Sequence, residues 1–198
     1  CSGDGRIEEA VYRALRQYRG FIRAAAPSGW AGARWYECLV SVLWLYGRRP
    51  EKWLLELAHI LKISGTDLSC AGQLWKGVEK QWTMYTHVVN AAMSLKAGPL
   101  YRRVMQKKDA PVGDADAERM YRLLRRYHGT AAGHFTGDEC LSGTSPVHGT
   151  ELCGVAEAMY SYEWLLALTG RSAWGDRLEA LAFNALPAAV SPDMWTHQ

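Results

Sequence analysis

Apolar residues recur at steps of three and four along most of the chain, which is the periodicity of amphipathic helices. The first such stripe runs over residues 7–22, with Arg and Glu on the opposite face. Seven further helices are predicted in the same way, and no segment shows the alternation of a strand longer than a few residues. They are expected at 32–46, 50–61, 84–96, 100–107, from Asp114 or Asp116 to 127, and at 150–168 and 172–186.

Glycine and proline mark the ends of these segments. Gly47 and Gly170 follow the second and seventh helices and end them, and Gly47 is expected to adopt the left-handed conformation of a helix C-terminal cap. Pro50 suits the first turn of the third helix, because its missing N–H has no partner there. The polar stretch 62–80 is predicted to be a loop with at most one helical turn, and 129–149 to be long and irregular.

The fold class predicted from this pattern is all-α. Two segments repeat the order of helix, tight glycine turn and returning helix, once around Gly47 and once around Gly170. Repeated antiparallel helix pairs build either a solenoid or a closed ring, and the periodicity fits both.

Composition narrows the class of protein. Of 198 residues, 48% are hydrophobic and 22% are charged, which excludes a disordered chain and indicates a folded core. With 23 basic and 20 acidic residues the net charge is +3, too close to balance to indicate a nucleic-acid or membrane surface. The longest uncharged run, 81–95, is too short and too polar to span a bilayer. We therefore expect neither a nucleic-acid partner nor a membrane partner.

The ends of the chain and its cysteines bear on its context. The chain begins with Cys, without a signal-peptide pattern, and keeps a folded composition to its last residue, so we expect residues 1–198 to be part of a longer protein. An odd number of widely spaced cysteines does not fit a disulfide framework. Reduced thiols are expected, which favours a reducing compartment such as the cytoplasm. The five are Cys1, Cys38, Cys70, Cys140 and Cys153.

Segment 129–153 concentrates residue types that carry chemistry, and long loops between helices are often functional. Glu151 and Cys153 flank the start of the seventh helix, for which Thr150 is the expected cap. At that position both side chains can point to one centre, and the unpaired N–H groups favour a thiolate. The residue types also fit an ordinary helix start, in which Glu complements the dipole and Cys is simply buried.

The same segment offers a second possible metal site. His134 and His148, together with Cys140 and Cys153, offer four side chains of the kinds that bind zinc. Their spacing matches no usual zinc motif, so the sequence favours this arrangement less than the Glu151 and Cys153 pair.

Five stretches share their residues with one enzyme family. They read HFTGDE at 134–139, GTELCGVAEAMYS at 149–161, THVVNAAM at 86–93, RLEALAFNALP at 177–187, and SPD at 191–193 with HQ at 197–198. Together they resemble glycoside hydrolase family 127 and its β-L-arabinofuranosidase-like relatives. The resemblance extends over most of the chain and is most specific from His134 onward.

The resemblance implies an (α/α)₆ barrel, of which residues 1–198 would form part as an incomplete catalytic domain. It also implies a retaining hydrolase whose nucleophile is a zinc-bound cysteine. Zinc (Zn²⁺) is held in that family by one Glu and three Cys, and Glu151 and Cys153 match the Glu-x-Cys part of the set. The other two ligands are an adjacent Cys-Cys pair that includes the nucleophile, expected beyond Gln198.

The same resemblance implies roles for two further residues and a substrate class. Glu139 matches the general acid/base, with Asp138 as the competing neighbour, and His87 matches a histidine that contacts substrate. The implied substrate is an L-arabinofuranosyl oligosaccharide or glycoconjugate. Most of the nine Trp and ten Tyr are expected in the core, and Trp75, in the polar stretch, is the first candidate for stacking on a sugar. The alternative is a non-catalytic helical carbohydrate-binding or scaffold protein that keeps the fold without the Cys-Cys pair.

Overall fold

The computed structural model describes residues 4–78, 82–106 and 110–195. Over these ranges the chain is predominantly helical and its two strands are only two residues long each, which confirms the all-α prediction. The helices are α1 Gly5–Ala24, α2 Gly29–Ala33, α3 Glu37–Tyr46, α4 Lys52–Ser64, α5 Val88–Ser94, α6 Ala97–Met105, α7 Ala115–His128, α8 Leu152–Thr169, α9 Ser172–Ala180 and α10 Leu186–Ala188. A 3₁₀ segment spans Leu68–Lys76, a π-helical turn spans Leu181–Ala185, and two short strands, β1 Gly137–Asp138 and β2 Cys140–Leu141, form a hairpin.

The chain divides into two compact units, and the first consists of Cys1–Thr66 with Leu100–Asp109. Helices α1, α3 and α4 pack together in this unit. Arg49, between α3 and α4, donates to Glu8 at 2.6 Å and to Glu9 at 3.1 Å on α1. The core of this unit is apolar, as the hydrophobic periodicity requires, and includes Leu15, Leu39, Leu45, Leu57 and Leu61.

The second unit consists of Asp67–Pro99 with Ala110–Gln198 and contains every candidate site residue. Helix α8 packs against both α5 and α9, and the 3₁₀ segment packs against α7. The predicted end of the seventh helix at Gly170 is confirmed, and this glycine, with φ +69°, makes a left-handed turn between α8 and α9. Asp114 accepts hydrogen bonds from Arg171 and from the buried Trp174 indole, both at 2.7 Å, which joins the start of α7 to α9.

The predicted second helix is wrong as one continuous element, because the chain turns between α2 and α3. Trp35 and Tyr36 lie in this turn, and both are buried. The turn lets the Trp35 indole donate to the carbonyl oxygen of Thr66 at 3.1 Å. Gly47 is also not left-handed, since its φ of −65° continues the right-handed conformation past α3.

Other helices begin or end at residues that differ from those predicted, including the two helices that begin beside site residues. The helix predicted from residue 84 begins at Val88, with His87 as its N-cap, and α8 begins after Glu151 and not after Thr150. The stretch 62–80 contains a nine-residue 3₁₀ segment, longer than the single turn predicted. The predicted end of the fifth helix at residue 107 lies outside the described residues, as do Cys1 and the HQ motif at 197–198.

None of the helices in the described ranges combines the length and the apolar composition needed to cross a membrane. The four described cysteines, Cys38, Cys70, Cys140 and Cys153, form no disulfide.

Candidate functional site

Three separated segments of the second unit are held together by backbone hydrogen bonds. The Val88 N–H donates to the carbonyl oxygen of Glu139 at 2.9 Å, and the Leu141 N–H donates to that of Thr86 at 3.0 Å. The Glu151 N–H donates to the carbonyl oxygen of Gly137 at 2.9 Å. The β1–β2 hairpin therefore lies between the first residues of α5 and α8 and brings both helix N-termini to one place.

Close packing under the hairpin requires glycine at position 137. A Cβ atom built on Gly137 would lie 2.3 Å from Cβ of Val88 and 2.4 Å from its Cγ2. Carbon atoms in contact are separated by about 3.5–4.0 Å. Gly137 is thus the residue that lets the hairpin approach α5.

Glu139 is the single residue between the paired positions Asp138 and Cys140 at the tip of the hairpin. Its φ is +67°, in the left-handed region that is uncommon for a residue other than glycine. Such a conformation persists where the surrounding structure enforces it, and it is concentrated at functional sites. The turn presents a side chain that is 65% exposed.

His87 holds the Glu139 carboxylate from one side. Nε2 of its buried ring lies 3.4 Å from Oε2 of Glu139. Its Nδ1 accepts the N–H of Asn90 at 3.2 Å as the N-cap of α5. In a neutral imidazole one nitrogen accepts and the other carries the proton, so Nε2–H faces Glu139 as a donor. Binding a metal through Nε2 would require a proton on Nδ1, where the Asn90 N–H already points.

Glu151 completes a cluster with these two residues. One ligand atom from each of His87, Glu139 and Glu151 lies within 4.8 Å of the others. Oε2 of Glu151 is buried and has no hydrogen-bond partner among the described residues. Because an unsatisfied buried carboxylate oxygen is costly, this atom is suited to a cation or to a donor from a ligand.

Cys153, the second residue of α8, is exposed and does not belong to that three-residue cluster. Burial of the thiol and then the neighbouring Glu151 carboxylate raise its pKa. In the folded chain these two effects therefore disfavour the thiolate that the helix N-terminus was expected to favour. A bound cation between the two groups would reverse this balance, because it favours both anionic forms.

The second metal arrangement is not assembled. No group of metal ligands that includes His134, His148 or Cys140 occurs among the described residues. Instead, His134 is buried and stacked on Phe135 at 4.3 Å between ring centroids.

The aromatic candidate chosen from the sequence is also wrong. Trp75 is fully buried and its indole donates to the carbonyl oxygen of Tyr85 at 2.8 Å, so it cannot stack on a ligand. Trp82 was missed: it is 41% exposed and lies edge-on to the His87 ring, with centroids 5.7 Å apart. Its position five residues before His87, in an uncharged polar run, was the available signal.

A buried cation near the site was missed as well. Lys96 is fully buried, and its Nζ donates to the carbonyl oxygen of Met93 at 3.3 Å and to Oγ of Ser161 at 3.4 Å. It also lies 3.9 Å from Glu157 on α8, one turn after Cys153. Fully buried lysines are rare unless they are paired, so Lys96 ties α8 to the segment that follows α5.

Comparisons with known proteins find no match to this chain among protein families, curated proteins or solved structures.

Proposed function

We propose that this chain carries the acid/base residue and part of the zinc site of a retaining glycoside hydrolase of the β-L-arabinofuranosidase type. The observation that carries the proposal is the cluster of His87, Glu139 and Glu151 around a strained hairpin tip. In this proposal the helices belong to an (α/α)₆ barrel, and the cysteine nucleophile is contributed from outside the 198 residues.

Glu139 acts as the general acid/base. Such a residue protonates the leaving oxygen in the first half of a retaining reaction and activates water in the second. Its carboxylate is exposed enough to meet a substrate, and the Nε2–H of His87 at 3.4 Å restricts its orientation. Asp138, the competing candidate, is not part of the cluster, which supports Glu139 for this role.

His87 positions Glu139 and contacts substrate beside it. Because its Nδ1 is engaged by the Asn90 N–H, the ring orientation is fixed by the first turn of α5. Trp82 flanks the ring and offers a partly exposed aromatic surface beside His87. Aromatic rings with one apolar face and a polar neighbour suit the faces of sugar rings.

Glu151 and Cys153 fit half of a zinc site. The fit is supported by the unsatisfied Oε2 of Glu151 and by the thiol beside that carboxylate, which together offer an oxygen and a sulfur ligand. Bound zinc would supply the deprotonation of cysteine thiols at neutral pH. His87 is not included among the ligands, since its nitrogens are committed to Asn90 and Glu139.

The test compares three variants of the full-length protein with an aryl β-L-arabinofuranoside. Glu139→Gln should keep its zinc and lose turnover by about 10²–10⁴-fold, the usual contribution of a positioned acid/base. Asp138→Asn is the matched control and should stay near wild type. Cys153→Ala should lose zinc and turnover together, as measured by metal analysis and initial rates.

The outcomes separate the proposal from its alternative. If Glu139→Gln loses zinc while Cys153→Ala keeps it, the two roles are assigned the wrong way round. If wild-type protein binds L-arabinofuranosyl oligosaccharides without hydrolysing them and without zinc, the non-catalytic carbohydrate-binding alternative is correct.

A further inference from the structure

A groove of about 540 Å³ lies along one face of α7 in the second unit and is lined by none of the cluster residues. Its volume falls within the range of about 300–1,000 Å³ that small-ligand sites occupy. Ala115 and Leu123 are its apolar lining, and every other lining residue is charged. The basic residues are Arg119, Arg122, Arg126 and Arg171, and the acidic residues are Asp114 and Glu118.

The two acidic side chains are the buried part of the groove and are already paired. Asp114 is buried and accepts from Arg171 and from the Trp174 indole, both at 2.7 Å. Glu118 has a side chain that is 12% exposed and accepts two hydrogen bonds from Arg177, at 2.8 Å and 3.1 Å. Because Arg177 does not line the groove, it neutralises Glu118 without using a groove arginine.

The arginine side chains are the part of the groove that faces solvent. Arg122 is 75% exposed and Arg171 is 44% exposed. Arg119 and Arg126 are exposed as well, and neither has an acidic partner among the described residues. An anion that approaches from solvent therefore meets guanidinium groups before it meets a carboxylate, and two of these groups have no counter-charge to give up.

The spacing of the arginines along α7 indicates the form of the anion. Arg119, Arg122 and Arg126 share one face of the helix, and their positions along its axis differ by about 4.5 Å and then by about 6 Å. Each guanidinium can bind a carboxylate through two parallel hydrogen bonds. A chain that carries one carboxylate per unit, with a repeat close to one helical turn, can contact these arginines in succession.

We propose that this groove binds a short acidic oligosaccharide whose sugar residues carry carboxylates, as uronic acids do. The choice of a saccharide rests on the proposed function, in which the protein acts on an oligosaccharide or glycoconjugate. An acidic peptide is disfavoured because the groove offers no aromatic or deep apolar pocket in which a peptide side chain could be anchored. A polyphosphate is disfavoured because two arginines without acidic partners balance only two single negative charges.

The test measures binding of trigalacturonate to the full-length protein by isothermal titration calorimetry, with maltotriose as the neutral saccharide. Saturable binding of trigalacturonate is expected, weaker at high salt because exposed charges are screened, with no binding of maltotriose. The double variant Arg119→Gln/Arg126→Gln should weaken the affinity about tenfold or more. The matched control is Arg13→Gln/Arg16→Gln on α1, which removes the same charge from exposed positions elsewhere and should leave the affinity unchanged. Both variants should fold, because Gln and Arg have similar helix propensities.

Three results would overturn the proposal. They are the absence of saturable trigalacturonate binding, an unchanged affinity in Arg119→Gln/Arg126→Gln, and equal or tighter binding of inorganic phosphate or of a terminally blocked triglutamate peptide.

Turnover of an aryl β-L-arabinofuranoside separates this proposal from the proposed function. The groove variant should keep wild-type turnover of this neutral substrate, since no cluster residue lines the groove. If the protein binds trigalacturonate through Arg119 and Arg126 but does not hydrolyse the aryl glycoside, the groove stands and the proposed function fails. If it hydrolyses the aryl glycoside and does not bind trigalacturonate, only the groove proposal fails.

Discussion

The close approach of Gly137 to Val88 gives the sharpest test of how the cluster is assembled. In Gly137→Ala the new Cβ would lie 2.3 Å, 2.4 Å and 2.8 Å from Cβ, Cγ2 and Cγ1 of Val88. Relief of these overlaps requires the hairpin and α5 to separate by more than about 1 Å, given contact distances of about 3.5–4.0 Å. Overpacking of this kind costs about 1–3 kcal/mol.

The displacement would also reach the cluster itself. The carbonyl oxygen of Gly137 accepts the N–H of Glu151, and the next residues carry Glu139. Moving the hairpin therefore changes the distance between the Glu139 carboxylate and Nε2 of His87, which is 3.4 Å in the native structure. We expect Gly137→Ala to lose both stability and the characteristic ¹⁵N signal of a hydrogen-bonded His87 ring.

Gly154→Ala is the matched control, because its Cβ would meet its nearest neighbours, His134 and Val88, at 3.5 Å, an ordinary contact. It lies in α8, where alanine is favoured over glycine by up to about 1 kcal/mol. Urea unfolding followed by tryptophan fluorescence gives the free energy of unfolding of both variants. Equal stability of Gly137→Ala and Gly154→Ala, with an unchanged His87 signal, would refute the packing argument.

Two further predictions concern buried ionisable groups. The pKa of His134 is lower in the folded chain, about 3, than its ordinary value of 6.5, so the unfolded state binds a proton first as pH falls. The free energy of unfolding should then decrease below pH 6.5 by up to about 1.4 kcal/mol per pH unit from this residue, and His134→Leu should show a shallower slope in urea titrations. Lys96→Ala should lower the free energy of unfolding by about 2–5 kcal/mol, since it removes a fully buried side chain and leaves a cavity, and Lys96→Met should cost less because it keeps most of the volume. If both Lys96 variants lost the same free energy of unfolding, the loss would come from removal of the charge and not from removal of packing.

The sequence by itself determined the helical class and several local features. The step of three and four residues defines one apolar face per helix, and this face is a property of neighbouring positions alone. The end of the seventh helix at Gly170 followed from local sequence as well, because a residue without Cβ makes a tight turn at little cost. The motif that contains Glu139 was also visible as a stretch of unusual composition.

Only the tertiary structure decided which of these residues meet. His87 and Glu151 are far from each other in sequence, and their contact with Glu139 depends on backbone hydrogen bonds between three segments. The burial of Trp75 and the exposure of Trp82 could not be separated by periodicity, because both lie in polar stretches without a helical pattern. Periodicity describes the faces of one element, whereas burial and cluster geometry depend on which elements pack against it.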